Sequence, residues 1–328
     1  MAFRPRFNRM KSTTDLIIVI PVGPTCKIEF ILDTIDSIKY YVHCDYRIII
    51  SDDAHNAVFQ NTLEKYHPDI IILKTTKNYG KLLGLYTTLS NAYRYALDEF
   101  DFCALLRLDT DALIIGHEPE AQILTLFKNN PSIGLAGRYV KGLRSPDQFG
   151  NVWDNGGRKP YVAIAKMFTK FYARHPFIYW RIRKRIFEAI NQGYELGDLV
   201  FGGAYAFSRV GLQKLRDNNL LPMMHVVGGD LEEDHFFTML MVSVGMGVGD
   251  LATGDYPFAC TWKGLPVSPE TLFQSNKKII HSTRYWGEMK EEEIRKFFRD
   301  KRQSAISPEH AHEEHLKRSG HARHPISG

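Results

Sequence analysis

A chain of 328 residues with 44% hydrophobic content carries enough apolar side chain to bury a full core, as one large α/β domain or two small ones, and is neither disordered nor fibrous. Its formal net charge of +5 permits an anionic ligand or a membrane surface as partner without demanding either. The four cysteines, Cys26, Cys44, Cys103 and Cys260, are scattered beside apolar segments with no Cys-x-x-Cys spacing, which excludes a thiolate metal site and points to buried thiols in a reducing compartment.

Arg4, Arg6, Arg9 and Lys11 precede the apolar stretch 16–23 and mimic a signal peptide. Pro21 interrupts that stretch and no small-residue cleavage site follows, so residues 1–14 read as a basic arm and the protein as cytoplasmic. No run reaches the roughly 18 apolar residues of a spanning helix. Asp15-Leu-Ile-Ile-Val-Ile-Pro-Val-Gly has the continuous pattern of a strand buried on both faces. Ile28, Ile31, Leu32, Ile35 and Ile38 recur at helical spacing, and Tyr46–Ser51 is a second buried strand ending at Asp52 and Asp53, which completes a βαβ unit. Asp69 to Leu73 predicts a third strand. Asn78-Tyr-Gly-Lys leads into a helix carrying Leu82, Leu85, Leu89 and Tyr93, and Phe102 to Leu108 predicts a fourth strand that ends in Asp109-Thr-Asp111. A helix over 118–130 and a strand over 133–137 continue the alternation, which predicts a doubly wound, mostly parallel sheet with helices on both faces and ligands beyond the carboxyl ends of the strands.

The regularity then stops. Residues 155–187 contain no acid and interleave arginines and lysines with aromatics such as Phe177, Trp180 and Phe187, a composition that suits an interfacial helix near anionic headgroups as well as a solvated basic face. Without a nucleic-acid motif beside it, nucleic acid is not an expected partner. Gly197 to Ser208 reads as a glycine-rich strand or loop with Ser208 capping the next helix. Glu232-Glu233-Asp234 enters a helix N-terminus, and the apolar run from Phe236 to Val244 is too short to span a bilayer and belongs to the core. Lys277 to Ser282 predicts a short strand presenting His281. One charged helix follows Gly287, and a polar, His-rich tail ends the chain. The organisation expected is a basic arm (1–14), a catalytic domain (15–287) with an insertion at 155–187, and a charged helix with its tail (288–328).

Residues i and i+2 of an extended chain face the same side, so Asp109 and Asp111 can aim two oxygens at one point, a donor pair suited to Mg2+ or Mn2+. Taken alone, Asp-x-Asp equally describes a capping residue and a solvated turn, and acids at 232–234 equally satisfy a helix dipole.

The order of these features resembles that of GT-A-type glycosyltransferases of the family-2-like group. They comprise a strand ending in Pro21, Asp after the second strand, Leu-Asp-Thr-Asp after the fourth, the Gly202-Gly203 loop, the Glu-Asp pair opening a helix, and the late His281; together they span residues 15 to 286. The resemblance implies a nucleotide-sugar donor, usually a UDP-sugar, with Pro21, Val22 and Asp52 or Asp53 against base and ribose. Asn78, Gly80 and Lys81 match a loop beside the diphosphate, though they also suit an ordinary helix start. Asp111 would bind Mn2+ or Mg2+ directly, Asp109 would orient ribose or metal-bound water, and His281 would complete the metal set. Gly202 and Gly203 would underlie the donor sugar. Asp234 would be the base of an inverting reaction and Glu233 would orient the acceptor, a glycan or lipid-linked molecule, with the register among 232–234 open by one residue. Trp153 and Trp262 are candidates to stack on sugar rings, and 155–187 falls where such enzymes place an acceptor-side insertion, with peripheral membrane contact as its expected role.

Three other readings compete. A haloacid-dehalogenase-like phosphatase would use Asp109 as nucleophile and Asp111 as acid, but that motif normally ends the first strand of its domain, and Gly249-Asp250 is a poor later metal motif. A sugar-nucleotide pyrophosphorylase would need a Gly-rich, Arg-containing first loop where this chain has Pro21-Val-Gly-Pro-Thr-Cys-Lys. A non-catalytic nucleotide- or carbohydrate-binding module is the non-enzymatic alternative.

Overall fold

A computed structural model describes residues 11–54, 56–141, 173–195, 197–229 and 231–306. The first apolar run is β1 (Leu16–Val22), buried at every position. α1 (Ile28–Tyr41) returns the chain to β2 (Tyr46–Asp52), which pairs parallel with β1 so that Val22 lies opposite Asp52. α2 (Ala57–Tyr66) starts at Asn56, whose side chain accepts from the Val58 and Phe59 amides, and leads to β3 (Ile71–Lys74). α3 (Leu83–Glu99) carries the chain to β4 (Ala104–Leu108), parallel to β1 on its other side. Next come β5 (Ala112–Ile114), α4 (Pro119–Asn129) and β6 (Ile133–Val140). After α5 (Pro176–Asn191) the glycine-rich segment forms β7 (Leu199–Ser208), with Ser208 accepting from the Gly211 amide to cap α6 (Arg209–Asp217). α7 (Glu233–Ser243) and β8 (Gly247–Asp250) follow.

The main sheet has the order β8-β6-β7-β4-β1-β2-β3. Only β7 runs against its neighbours, pairing antiparallel with both β4 and β6, so the sheet is mostly parallel, as expected. Alternation along β1 and β4 divides the core. Ile17, Val19 and Leu105 pack under α3, α5, α6 and α7 with Tyr93, Ile182, Leu212, Phe236 and Phe237. Ile18, Ile20, Leu106 and Leu108 pack under α1, α2 and α4 with Ile31, Ile35, Leu63 and Ile123. Each such side chain, fully removed from water, stabilises the fold by roughly 1.5–3 kcal/mol.

A smaller sheet of order β9-β10-β5 joins β9 (Phe258–Cys260) and β10 (Ile279–His281) to β5. Antiparallel pairing of β10 with β5 sets His281 opposite Ala112, one residue from Asp111. α8 (Pro269–Gln274) and α9 (Glu291–Ile306) cover it, with Leu272, Ile294 and Phe298 closing a third cluster. α9, the charged helix, is bolted to α1: Arg295 is fully buried, donating from Nη1 to Asp33 Oδ2 at 3.1 Å and from Nη2 to the Thr110 carbonyl at 2.5 Å, while Arg302 donates to Asp33 Oδ1.

Several boundaries differ from the sequence pattern for local reasons. β3 begins two residues late because Ile70 closes a turn onto the His67 carbonyl. The fourth strand begins at Ala104, because the Cys103 and Ala104 amides both turn to the Asp15 carbonyl and leave Phe100–Asp101 to pair separately with Ser12–Thr13. β6 extends to Val140 because β7 supplies partners as far as Leu199. The first ten residues of the basic arm, Trp153, the insertion as far as residue 172 and the His-rich tail lie outside the described residues. Among the described residues no helix is long and apolar enough to cross a membrane.

Candidate active site

β4 ends at Leu108 and the chain turns through Asp109-Thr110-Asp111 before β5. The turn is held by backbone bonds: the Asp109 amide donates to the Gly203 carbonyl at 2.7 Å, and the Asp111 carbonyl accepts from the Thr283 amide and hydroxyl at 2.9 and 3.0 Å. Ligand-type atoms of Asp109, Asp111 and His281 lie within 4.8 Å of one another. His281 is 6% exposed, and its Nδ1 lies 3.0 Å from the Thr261 carbonyl. A carbonyl only accepts, so Nδ1 carries the proton, and Nε2 is the nitrogen turned to Asp111 Oδ1 at 3.4 Å. This is the outer-shell arrangement that fixes a ligating imidazole. Two carboxylates and an oriented imidazole therefore fit a divalent cation of the Mg2+ or Mn2+ type.

The approach of His281 depends on Gly203. That residue has φ +90°, and a Cβ there would lie 2.3 Å from the imidazole ring, so both its conformation and its missing side chain are needed. The two acids differ in electrostatics. Burial pushes Asp109 up to about 6, Arg107 opposing and the Asp111 charge adding to the rise. Burial acts on Asp111 in the same direction but is outweighed by His281, Arg284 and the Ser282 hydroxyl, which hold it below the usual carboxylate range. Arg284 Nε is 2.7 Å from Asp111 Oδ2 with the side chain 62% exposed. Burial lowers His281, but its facing carboxylate Asp111 overcomes this and leaves it raised.

A cavity of about 310 Å³ opens from this corner beyond the carboxyl ends of β1 and β2, lined by Pro21, Val22, Ser51, Asp53, Asn78, Gly80, Lys81, Asp109, Asp111 and Arg284. Asp53 organises its far wall, accepting from the Tyr79 amide at 2.9 Å, the Gly80 amide at 2.8 Å and the Thr75 hydroxyl at 2.8 Å. Asn78 donates to the Asp53 carbonyl at 3.0 Å, so Asn78 and Gly80 fold the loop onto Asp53. Asp52 does not line the cavity. It is fully buried and its carboxylate accepts from the Ala54 amide and from Gln60, because alternation along β2 turns it to the opposite face from Asp53.

A second cavity of about 310 Å³ shares Lys81, Leu85, Asp109 and Arg284 with the first and is closed by Arg107, Gly202, Gly203, Glu232, Glu233, Asp234, Trp262 and His281. Here the three acids separate. Glu233 is buried and its Oε1 is 2.7 Å from Arg107 Nη1. Asp234 Oδ2 accepts from the Gly202 amide at 3.0 Å and Oδ1 from the His235 amide at 2.7 Å. Glu232 is half-exposed, its Oε2 4.0 Å from His235 Nε2. Burial raises all three, Glu232 to about 7, with Arg107 opposing the rise of Glu233 and the two amides that of Asp234. Burial pushes His235 down to about 4. Ligand-type atoms of Glu232, Asp234 and His235 also lie within 4.8 Å of one another.

Arg107 and Arg284 are absent from the sequence reading. Arg107 left a signal, a lone cation at an inward position of the apolar run Leu105-Leu106-Arg107-Leu108; Arg284, in a turn, left none. Asp250 serves a turn, accepting from the Ala252 and Thr253 amides at 3.3 and 2.8 Å, and lines neither cavity.

No family model and no curated protein matches this sequence. Solved structures with a similar fold include the mannosyltransferase PcManGT from Pyrobaculum calidifontis in complex with GDP-Man and Mn2+, at 16% identity over 73% of this chain and 55% of that one, TM-score 0.41. The bifunctional glycosyltransferase WbbM matches at 13% identity over 95% and 52%, TM-score 0.47. TarS 1–349 of S. aureus matches at 10% identity over 73% and 58%, TM-score 0.41. The chain spans about half the length of the structures it matches. The likeness is partial and is one of α/β architecture alone.

Proposed function

We propose that the chain is a metal-dependent, inverting glycosyltransferase that moves a hexose from a UDP-sugar to a glycan or lipid-linked acceptor. The observation that carries the reading is the convergence of Asp109, Asp111 and His281 within 4.8 Å, at the wall between one cavity lined by Pro21, Val22 and Asp53 and another lined by Asp234. Asp109, Asp111 and His281 Nε2 would hold the metal, which when bound supplies Lewis acidity to a departing diphosphate. Arg284 and Lys81 bring positive charge to the same wall. Pro21, Val22 and Asp53 receive base and ribose, and Asp234 takes the acceptor hydroxyl proton, a contribution of about 10² to 10⁴ in rate. The Gly202 and His235 amides hold that carboxylate in place, and Trp262, 52% exposed, borders the acceptor side.

The test is a thermal-shift and hydrolysis screen of nucleotide sugars with and without Mn2+, on the wild type, Asp111→Ala and Asp234→Asn. Metal-dependent UDP binding lost in the first variant, with turnover but not binding lost in the second, supports the roles. A preference for GDP would replace the base while keeping the transferase. Monoester phosphatase activity without nucleotide affinity overturns the reading, and nucleotide binding without turnover on any acceptor leaves a binding module.

Peripheral contact with the inner face of a membrane belongs to the same proposal. α5 buries Ile182, Ile186 and Ala189, yet Phe177, Trp180 and Phe187 are 83%, 63% and 62% exposed beside Arg181, Arg183 and Lys184. An outward apolar stripe with interspersed cations suits anionic headgroups. Arg185 is engaged by Glu188 at 2.8 Å, so co-sedimentation with anionic liposomes should weaken on changing Trp180, Arg181 and Arg183. Indifference to those changes removes the membrane contact.

A further inference from the structure

One buried side chain of the second cavity pairs with Asp109, which lines both cavities. Arg107 is 1% exposed; its Nη2 lies 2.7 Å from Asp109 Oδ1 and its Nη1 2.7 Å from Glu233 Oε1. The guanidinium stacks on the Tyr205 ring, 4.9 Å from its centroid, where the β4–β7 register sets Tyr205 opposite Arg107. Alternation puts Leu105, Arg107 and Asp109 on the face that α7 covers, so the first turn of α7 meets the arginine. Burying a guanidinium is costly unless its charge is paired, and both of its partners are acids of the site, one at the metal corner and one at the acceptor corner.

We infer that Arg107 is a positioning residue that joins the two corners. By tying Glu233 to the Asp109 side it fixes the entry of α7, and this sets Asp234 on the Gly202 amide with its carboxylate lining the acceptor cavity. Glu233 is thereby committed to Arg107 and Asp234 is left to meet the acceptor, which closes the register among the three consecutive acids. The planar fork of arginine sets one nitrogen 2.7 Å from each carboxylate, whereas the ammonium of lysine would have to reach both acids from a single nitrogen.

The inference rests on the transferase reading for the role of Asp234, but the coupling itself is measurable without turnover. Hydrogen–deuterium exchange of the peptide 231–238 is followed with and without Mn2+ in the wild type, Arg107→Lys and Glu233→Gln. Mn2+ should slow exchange at the start of α7 at least threefold in the wild type and leave it unchanged in both variants. Where the transferase assay succeeds, Arg107→Lys should lower kcat at least tenfold with KM for the donor within threefold. The double variant should be no slower than the slower single one, because the two groups act as a unit. Equal Mn2+ protection in wild type and Arg107→Lys overturns the inference, and so does a kcat for Arg107→Lys equal to that of the wild type. Multiplicative losses in the double variant overturn it as well. A chain that turns over no nucleotide sugar but shows the exchange coupling refutes the transferase reading alone. Glu233→Gln probes the same contact from α7, so a folding failure of the arginine variant does not shelter the inference.

Discussion

The corner proposed for the metal and the corner proposed for the acceptor are built differently. Asp109-Thr110-Asp111 is fastened from elements far away in sequence: Thr110 by Arg295, the Asp111 carbonyl by Thr283, Ala112 by the Thr34 hydroxyl at 3.0 Å, and Asp109 by Gly203. The acids of 232–234 sit on one helical turn, held by Gly202, His235 and Arg107, and Glu232 is half in solvent. Fixed donors around one corner suit an invariant charged group such as a diphosphate, whose partners gain from preorganisation. A looser corner suits an acceptor whose shape varies, and it opens on the same side of the sheet as α5 and its exposed aromatics.

Removing the hub of the rigid corner is the sharpest way to break this contrast. Asp111→Ala should lower metal-dependent nucleotide affinity more than about 100-fold by calorimetry, because it deletes a ligand and strands Arg284. Asp234→Asn should cut turnover by about 10² to 10⁴ while nucleotide affinity stays within a few-fold, a separation of binding from rate that an acid with a purely structural role at the helix N-terminus would not produce. Gly203→Ala is expected to cost about 1–3 kcal/mol for its left-handed backbone alone, and the added methyl, 2.3 Å from the imidazole, should displace His281. A metal-induced rise in Tm that survives this change would contradict the ligand assignment. The smallest effect tests the loose corner through pH. Glu232 is raised from 4.5 to about 7, so between those values the unfolded chain gives up the proton first, and stability falls as pH rises through that window. Solvent screening of a half-exposed group limits the loss to on the order of 1 kcal/mol. Glu232→Gln should flatten the decline of Tm from pH 4.5 to 7, and parallel wild-type and variant profiles would place the burial of this carboxylate in doubt.

Much of the rigid corner was legible because it obeys short-range rules. Continuous apolar runs located β1, β2 and β4, and Ser208 announced itself as a cap; Asp109 and Asp111 converge through a turn closed by the Ala112 amide on the Asp109 carbonyl, not through the extended geometry the sequence reading assumes. What stayed hidden depends on long-range contact. The choice between Asp52 and Asp53 turned on which face of β2 meets the cavity, and the order of Glu232, Glu233 and Asp234 could not be resolved without Arg107. In the sequence the glycine at 203 suits the approach of a sugar, whereas in the structure a Cβ there would meet the ring of His281. Arg284 and Arg295 sit in a turn and on a charged helix, contexts where a cation is ordinary, and only tertiary packing gives them their partners.

The clasp between α9 and α1 has a consequence for how the chain matures. Asp33 is 5% exposed and meets Arg295, Arg299 and Arg302, the last 269 residues further along, and Thr110 waits 185 residues for Arg295. A chain emerging from the ribosome can assemble the β4-β1-β2-β3 end of the sheet from its first half. It carries an unneutralised carboxylate beneath that end, and a slack Asp-Thr-Asp turn, until its closing helix has been synthesised. The Asp109-Thr110-Asp111 turn is thus fastened last, when almost the whole described chain is available to fold.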